Sequence, residues 1–206
     1  MGLLVSSLVI KYKNIENVIV GSGITGLSLA YWIYTLTGQT VLIIDQGKET
    51  RASRLNAGFL TSGSLSFYNY LISEFGVKQG KCLWNIAKKN TSNILSLIED
   101  CSFDVDLKKA GSYSFLNYKP KHLPISFSTK NIDGLFNDYE GFYDEDEASF
   151  NPSKFNEEFQ LFLIQKGIVF KQNFKVDSID FIKKQYPSAR IFDATNSSSL
   201  LNGKLK

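Results

Sequence analysis

The residues best placed to do chemistry are three glycines and one acid. Residues 18–30 read V-I-V-G-S-G-I-T-G-L-S-L-A, which sets Gly21, Gly23 and Gly26 in a G-x-G-x-x-G pattern directly after an apolar run. Each glycine has a mechanical task. Gly21 permits a tight turn. Gly23 lets a pyrophosphate approach the backbone, where the N–H groups that open a helix, those of Ile24, Thr25 and Gly26, bind it together with the positive helix end. Gly26 and the small Ala30 allow that helix to lie close to a sheet. Asp45 ends the next apolar run, 19 positions after Gly26. With the adjoining Gln46 it is placed to meet an adenosine ribose. An acid there disfavours a 2′-phosphate, so NAD or FAD is expected before NADP.

Other chemistry-bearing residues have plainer explanations. His122, in K-P-K-H-L-P, offers a base, but an exposed loop histidine is the expectation. Cys82 and Cys101 are expected to be structural thiols near helix apolar faces rather than a redox pair. The run Asp144-Glu145-Asp146-Glu147 has the charge to hold a cation, and is expected to be a solvated acidic loop. Tyr113, Tyr139 and Tyr143 are candidates for a pocket wall; aromatic content of 14% makes core packing their default.

The elements that must position the glycines follow from the apolar pattern. Residues 17–20 and 41–44 read as buried strands, and residues 24–37 between them as a helix stopped by Gly38. Strand, helix and strand within about 30 residues make a βαβ unit with an expected right-handed crossover. Residues 46–65 read as a long polar loop. Residues 78–100 read as one long helix, or two broken near 90–93. Strands are expected at 105–107, 112–116, 168–170, 174–179 and 190–194, with an irregular aromatic and acidic stretch up to Phe150. Asn151-Pro152 marks a helix start with a buried stripe of Phe155, Phe159, Phe162 and Leu163, ended by Gly167.

Composition narrows the class. The 206 residues carry 23 Lys and Arg against 20 Asp and Glu, a formal charge of +3, with the lysines scattered. That excludes a charge argument for DNA or RNA. Apolar residues at 43% and charged residues at 21% describe a folded globular chain. Two cysteines and a single histidine are too few for a disulfide framework or a structural metal, so the expectation is a reducing, cytoplasmic setting. Residues 1–10 are apolar but lack a positive flank and a cleavage signal, and no targeting or membrane segment is expected.

The loop after Asp45 separates NAD from FAD. It reads R-A-S-R-L-N-A-G-F-L-T-S-G-S from Arg51, and resembles the A-S-x-x-N-x-G segment of the D-amino-acid oxidase-like FAD-dependent oxidoreductases. The S-R-L-N-A-G form is most similar to the gamma-glutamylputrescine oxidase-like branch. The resemblance implies that Ser53, Arg54, Asn56, Ala57 and Gly58 meet the pyrophosphate and ribityl chain. It implies that the backbone at Val176 meets adenine. It extends more weakly through residues 76–100, 109–116, 151–154 and 167–179. At residues 190–196 the family's A-T-G is matched by Ala194-Thr195-Asn196, with Asn in place of glycine.

The fold implied is α/β: a Rossmann-like FAD/NAD(P)-binding domain with an inserted mixed α+β substrate domain. The expected divisions are 15–75 for the first part of the FAD-binding domain, 76–172 for the helical segment and partial substrate domain, and 173–206 for the return. The chain is expected to correspond to the first half, or somewhat more, of such a protein. The implied activity is oxidation of a C–N bond of an amine or amino acid by hydride transfer to flavin. The family's substrate-binding residues lie beyond the matched part, so no catalytic residue is carried over. The alternatives are a truncated, non-catalytic dinucleotide binder, a plain NAD-binding dehydrogenase domain, and the FAD module of a tRNA wobble-uridine modifying enzyme. No basic, aromatic-interleaved patch supports the last.

Overall fold

The computed structural model describes residues 14–47, 52–116, 118–129 and 140–195. The expectations for residues 1–10, Arg51, Tyr139 and Asn196 lie outside the described residues. In chain order the elements are β1 (Asn17–Val20), α1 (Ile24–Thr37), β2 (Val41–Ile44), the single turn α2 (Ala52–Leu55), β3 (Phe59–Leu60), α3 (Leu65–Asp100), β4 (Ser112–Leu116), β5 (Phe127–Thr129), β6 (Glu140–Asp144), β7 (Ala148–Ser149), α4 (Pro152–Gln165), β8 (Val169–Lys171), α5 (Ile179–Gln185) and β9 (Arg190–Asp193). The chain divides into two compact units, Met1–Asn56 with Pro152–Lys206, and Ala57–Asn151.

The first unit is built on a parallel four-stranded sheet in the order β8-β2-β1-β9. Val18, Ile19 and Val20 face Leu42, Ile43 and Ile44 across the β1–β2 ladder, and every residue of both strands is buried. Continuous β-branched and leucine runs suit a strand covered on both faces. Ile15, Val18, Val20, Leu42, Ile44, Val176 and Ile182 pack as its core. α1 stops where the sequence predicts: Gly38 takes a left-handed conformation and its N–H reaches the Tyr34 carbonyl at 2.9 Å. α4 starts at Pro152 and buries Phe155, Phe159 and Leu163.

The second unit joins α3 to an antiparallel sheet, β4-β6-β5, and a short β3–β7 pair. Leu65, Tyr68, Leu71, Ile72, Trp84, Leu116, Phe127 and Phe142 form its core. α3 is interrupted at Gly76 (φ 77°, ψ 164°), a backbone conformation that L side chains rarely adopt. Of the two readings of residues 78–100, the unbroken helix is the one found, with no interruption at 90–93. Thr91 is buried on that helix and its hydroxyl donates to the Ala87 carbonyl at 3.2 Å.

Three local expectations differ from the structure. Residues 105–107 form no strand; beside them Lys108 bridges to Ser149, and the Val105 carbonyl accepts the Asn151 N–H at 2.7 Å. Residues 174–179 form no strand either: Asn173 turns at φ 56°, and Ser178 accepts the Phe181 N–H at 3.3 Å to start α5. The stretch read as irregular holds β5, β6 and β7, whose partners are distant in sequence. The expected divisions at 75 and 172 differ from the units found. α4 packs on α1 and α2, and β8 pairs with β2, so both belong with the first unit. Among the described residues no helix is long and apolar enough to cross a membrane.

Candidate functional site

In the first unit the chain runs from β1 to β2 and β8 on one side, and places β9 on the other. The order reverses between β1 and β9, and open parallel sheets bind ligands at the carboxyl ends of strands at such a point. The glycine loop, Asp45 and Ala194 all follow the carboxyl ends of their strands there. The Ala194 N–H donates to the Val20 carbonyl at 2.9 Å, and the Gly21 N–H to the Ile44 carbonyl at 2.8 Å.

The three glycines meet three different walls. A Cβ on Gly26 would stand 1.9 Å from the Gly21 carbonyl oxygen and 3.4 Å from Ile19, so this glycine lets α1 touch β1. A Cβ on Gly21, at φ 109°, would stand 2.8 Å from the Ala194 carbonyl. A Cβ on Gly23 would meet only the Ser53 hydroxyl, at 2.9 Å. Gly23 caps α1 without a side chain of its own, leaving the first N–H groups of the helix to other acceptors. The Ser53 hydroxyl takes one of them, the Ile24 N–H, at 3.0 Å.

Asp45 is buried and fastens this loop. One carboxylate oxygen accepts the Ser22 N–H at 2.7 Å and the Ser22 hydroxyl at 2.9 Å, and the other accepts the Gly47 N–H at 2.7 Å. A buried carboxylate needs such donors. Arg54 leaves α2 toward α4, where its Nη1 pairs with the Glu157 carboxylate at 3.0 Å. Its Nε is buried and has no hydrogen-bond partner among the described residues. Asn56 turns back and donates to the Ser53 carbonyl at 3.1 Å. Asn156, one residue before Glu157, is buried and its amide lies 3.5 Å from the Ser22 carbonyl.

The structure therefore gathers Gly21, Gly23, Ile24, Gly26, Asp45, Ser53 and Arg54 in one unit. Thr25 and Gln46 are exposed there. Ala57 and Gly58 belong to the second unit, where Gly58 (φ 71°) accepts the Phe150 N–H at 2.9 Å. The Val176 side chain is part of the first unit's core. Asn156 and Glu157 were missed. The signal was present: Asn156 lies between Phe155 and Phe159 on the buried stripe of α4, a polar residue at a core position.

In the second unit the acidic run is not a solvated loop. Asp144 is fully buried and Glu147 nearly so, while Glu145 and Asp146 are exposed. Asp144 accepts from Lys88 Nζ at 3.1 and 3.2 Å and from the Ser126 hydroxyl at 3.1 Å, so the cation it holds is the protein's own. Burial pulls the Lys88 ammonium down, but its bonds to Asp146 and Asp144 outweigh this and hold it above its ordinary value. Glu147 accepts the Ser62 N–H at 3.0 Å and the Ser112 hydroxyl. Burial pushes its carboxyl up, opposed by those two bonds.

A carboxyl raised in the folded state binds its proton more tightly than in the unfolded chain. Its stabilising contribution is therefore greatest at low pH and falls as pH rises through the raised value. Glu147→Gln keeps an acceptor for Ser62 and removes the titration. Thermal melts from about pH 4.5 to pH 8 should show the variant overtaking the parent toward the alkaline end, with the gap closing in acid. A parallel pair of curves contradicts the assignment.

The remaining candidates lie in the second unit. Half-buried rather than exposed, His122 has its backbone clamped by Asn69, which donates to its carbonyl at 3.0 Å and accepts its N–H at 3.1 Å. Cys82 is exposed, against expectation, and Cys101 is half-buried. Tyr113 and Tyr143 are cross-strand partners with ring centroids 4.8 Å apart.

The first unit suits a dinucleotide's pyrophosphate on three counts. Gly23 leaves a cradle at a helix N-terminus, that helix follows β1 where the strand order reverses, and Arg54 carries a buried Nε with no partner among the described residues. The family model described as FAD dependent oxidoreductase matches residues 17–199. No curated protein matches. Among solved structures, L-amino acid deaminase from Proteus vulgaris, with its specific insertion deleted, is similar at TM-score 0.60 and 14% identity, over 81% of this chain and 46% of that one. Glycine oxidase from Bacillus cereus is similar at TM-score 0.53 and 14% identity, over 80% and 49%. The FAD-bound L-alpha-glycerophosphate oxidase from Mycoplasma pneumoniae is similar at TM-score 0.53 and 11% identity, over 79% and 46%. The chain thus spans about half the length of the structures it matches, and at these identities the likeness is one of fold. With its α/β fold and parallel sheet, the chain belongs to the FAD-dependent oxidoreductase family, whose cofactor is FAD.

Proposed function

We propose that this chain binds FAD across the carboxyl edge of its parallel sheet and serves the oxidation of a C–N bond in an amine or amino acid. The observation that carries the binding is the cradle at Gly23, bounded by Ser53, in a loop anchored by Asp45. The N–H groups of Thr25 and Gly26, and that of Ile24 once Ser53 releases it, would hold the pyrophosphate with Arg54, and Asp45 with Gln46 would face the ribose. Asn56, Ala57, Gly58 and the backbone at Val176 are the further contacts that the family pattern supplies. FAD, when bound, supplies a two-electron acceptor for a C–H bond beside nitrogen. The protein's part is to hold the cofactor, orient the amine and exclude water.

The class of substrate is supported by similarity to an amino acid deaminase and a glycine oxidase. The test is anaerobic addition of small amines and amino acids to the FAD-loaded chain while following the flavin's visible absorbance. Bleaching by one class of amine or amino acid is expected. A second reading is a dinucleotide-binding chain without turnover of its own. Retained FAD that no amine or amino acid bleaches would favour it.

A further inference from the structure

Arg54 and Glu157 are 103 residues apart in sequence and meet at 3.0 Å within the first unit. The pair is lopsided. The Arg54 side chain keeps 26% of its exposure and Glu157 keeps 54%. One end of the guanidinium, Nη1, is tied to the carboxylate, while Nε is buried without a partner among the described residues. A buried donor without an acceptor is costly in a folded protein. A guanidinium anchored at one nitrogen keeps its planar fork aimed, and a fork of this kind recognises phosphate oxygens through two parallel bonds. The neighbouring Ser53 hydroxyl is already at the N-terminus of α1, on the Ile24 N–H. On the adjacent position of α4, Asn156 lies against the Ser22 carbonyl of the glycine loop. Two consecutive α4 residues therefore abut the two chain segments of the cofactor site.

We propose that Glu157 is a positioning residue of the FAD site, holding the Arg54 guanidinium by Nη1 so that its Nε side is set for a pyrophosphate oxygen. This rests on the FAD reading above and deepens it. The carboxylate acts through Arg54 and does not touch the cofactor. Its negative charge weakens the long-range attraction for an anion. Its anchoring removes the rotamer freedom that a long, half-exposed arginine would otherwise lose on binding, and in this site the second effect is the larger.

The test is FAD titration of four proteins, followed by flavin fluorescence, with thermal melts alongside: the parent chain, Glu157→Gln, Arg54→Ala and the double variant. Glu157→Gln should weaken FAD binding about three- to tenfold. Its melting temperature should move little, because a partly exposed ion pair contributes little to stability. In the Arg54→Ala background the Glu157→Gln change should have no further effect on affinity, since its only route to the cofactor is gone. Binding that Glu157→Gln leaves unchanged or tightens, or an equal loss with and without Arg54, overturns the proposal while leaving FAD binding intact. A parent chain that takes up no FAD overturns both.

Discussion

Replacing Gly26 by valine should unfold the first unit rather than merely weaken its site. The added Cβ would stand 1.9 Å from the Gly21 carbonyl oxygen, which is backbone and follows directly on β1. Nothing flexible is available to move. Relief requires α1 to lift from the sheet, away from the buried contacts of Leu27 and Ala30. Overpacking of this severity lies at the extreme of single substitutions, about 4 kcal/mol or more. A domain of this size has only about 5–15 kcal/mol to lose. Low soluble yield, or a melting temperature lowered by well over ten degrees, is the expected result. A variant that melts like the parent would show that helix and strand are not packed this closely.

Gly23→Val separates the fold from the ligand. Gly23 sits at φ −70°, ψ 177°, an extended conformation open to any residue. The added Cβ meets only the Ser53 hydroxyl, at 2.9 Å, the end of a side chain that can rotate away. The fold should lose only the bond from the Ile24 N–H to Ser53, about 1 kcal/mol. The valine methyl groups would instead fill the space in front of the helix N–H groups. FAD affinity should fall by about a hundredfold or more, the equivalent of two decades at 1.4 kcal/mol each. A folded Gly23→Val protein, checked by its melt and circular dichroism, that keeps parental flavin content contradicts the placement of the pyrophosphate.

The contrast between these two glycines shows what sequence pattern reveals. The strand, the helix, Gly38 and Asp45 are local features, each fixed by residues within a turn or a short run of its neighbours. Their positions agree with the structure to the residue for β1, α1 and β2. What the pattern cannot show is which buried group a side chain meets across a hundred residues. Arg54 is aimed by Glu157, and the Ser22 loop is backed by Asn156, through a helix that the pattern reads only as an amphipathic packing element. Asp45 likewise proves to be the loop's fastener, bonded to Ser22 and Gly47. The acidic run was misread because burial of a carboxylate depends on partners such as Lys88 and Ser112, which come from other elements. The long-range strands β5 to β7 were missed for the same reason.

Binding of FAD by the purified chain tests the central claim most directly. Equilibrium titration, read by flavin fluorescence, should give one saturable site with a Kd in the micromolar range or tighter, about −8 kcal/mol or better. ADP should compete for it, and the Gly23→Val protein should lack it. A parent chain that shows no saturable FAD binding at concentrations far above that range, or that binds no better than Gly23→Val, would contradict the account.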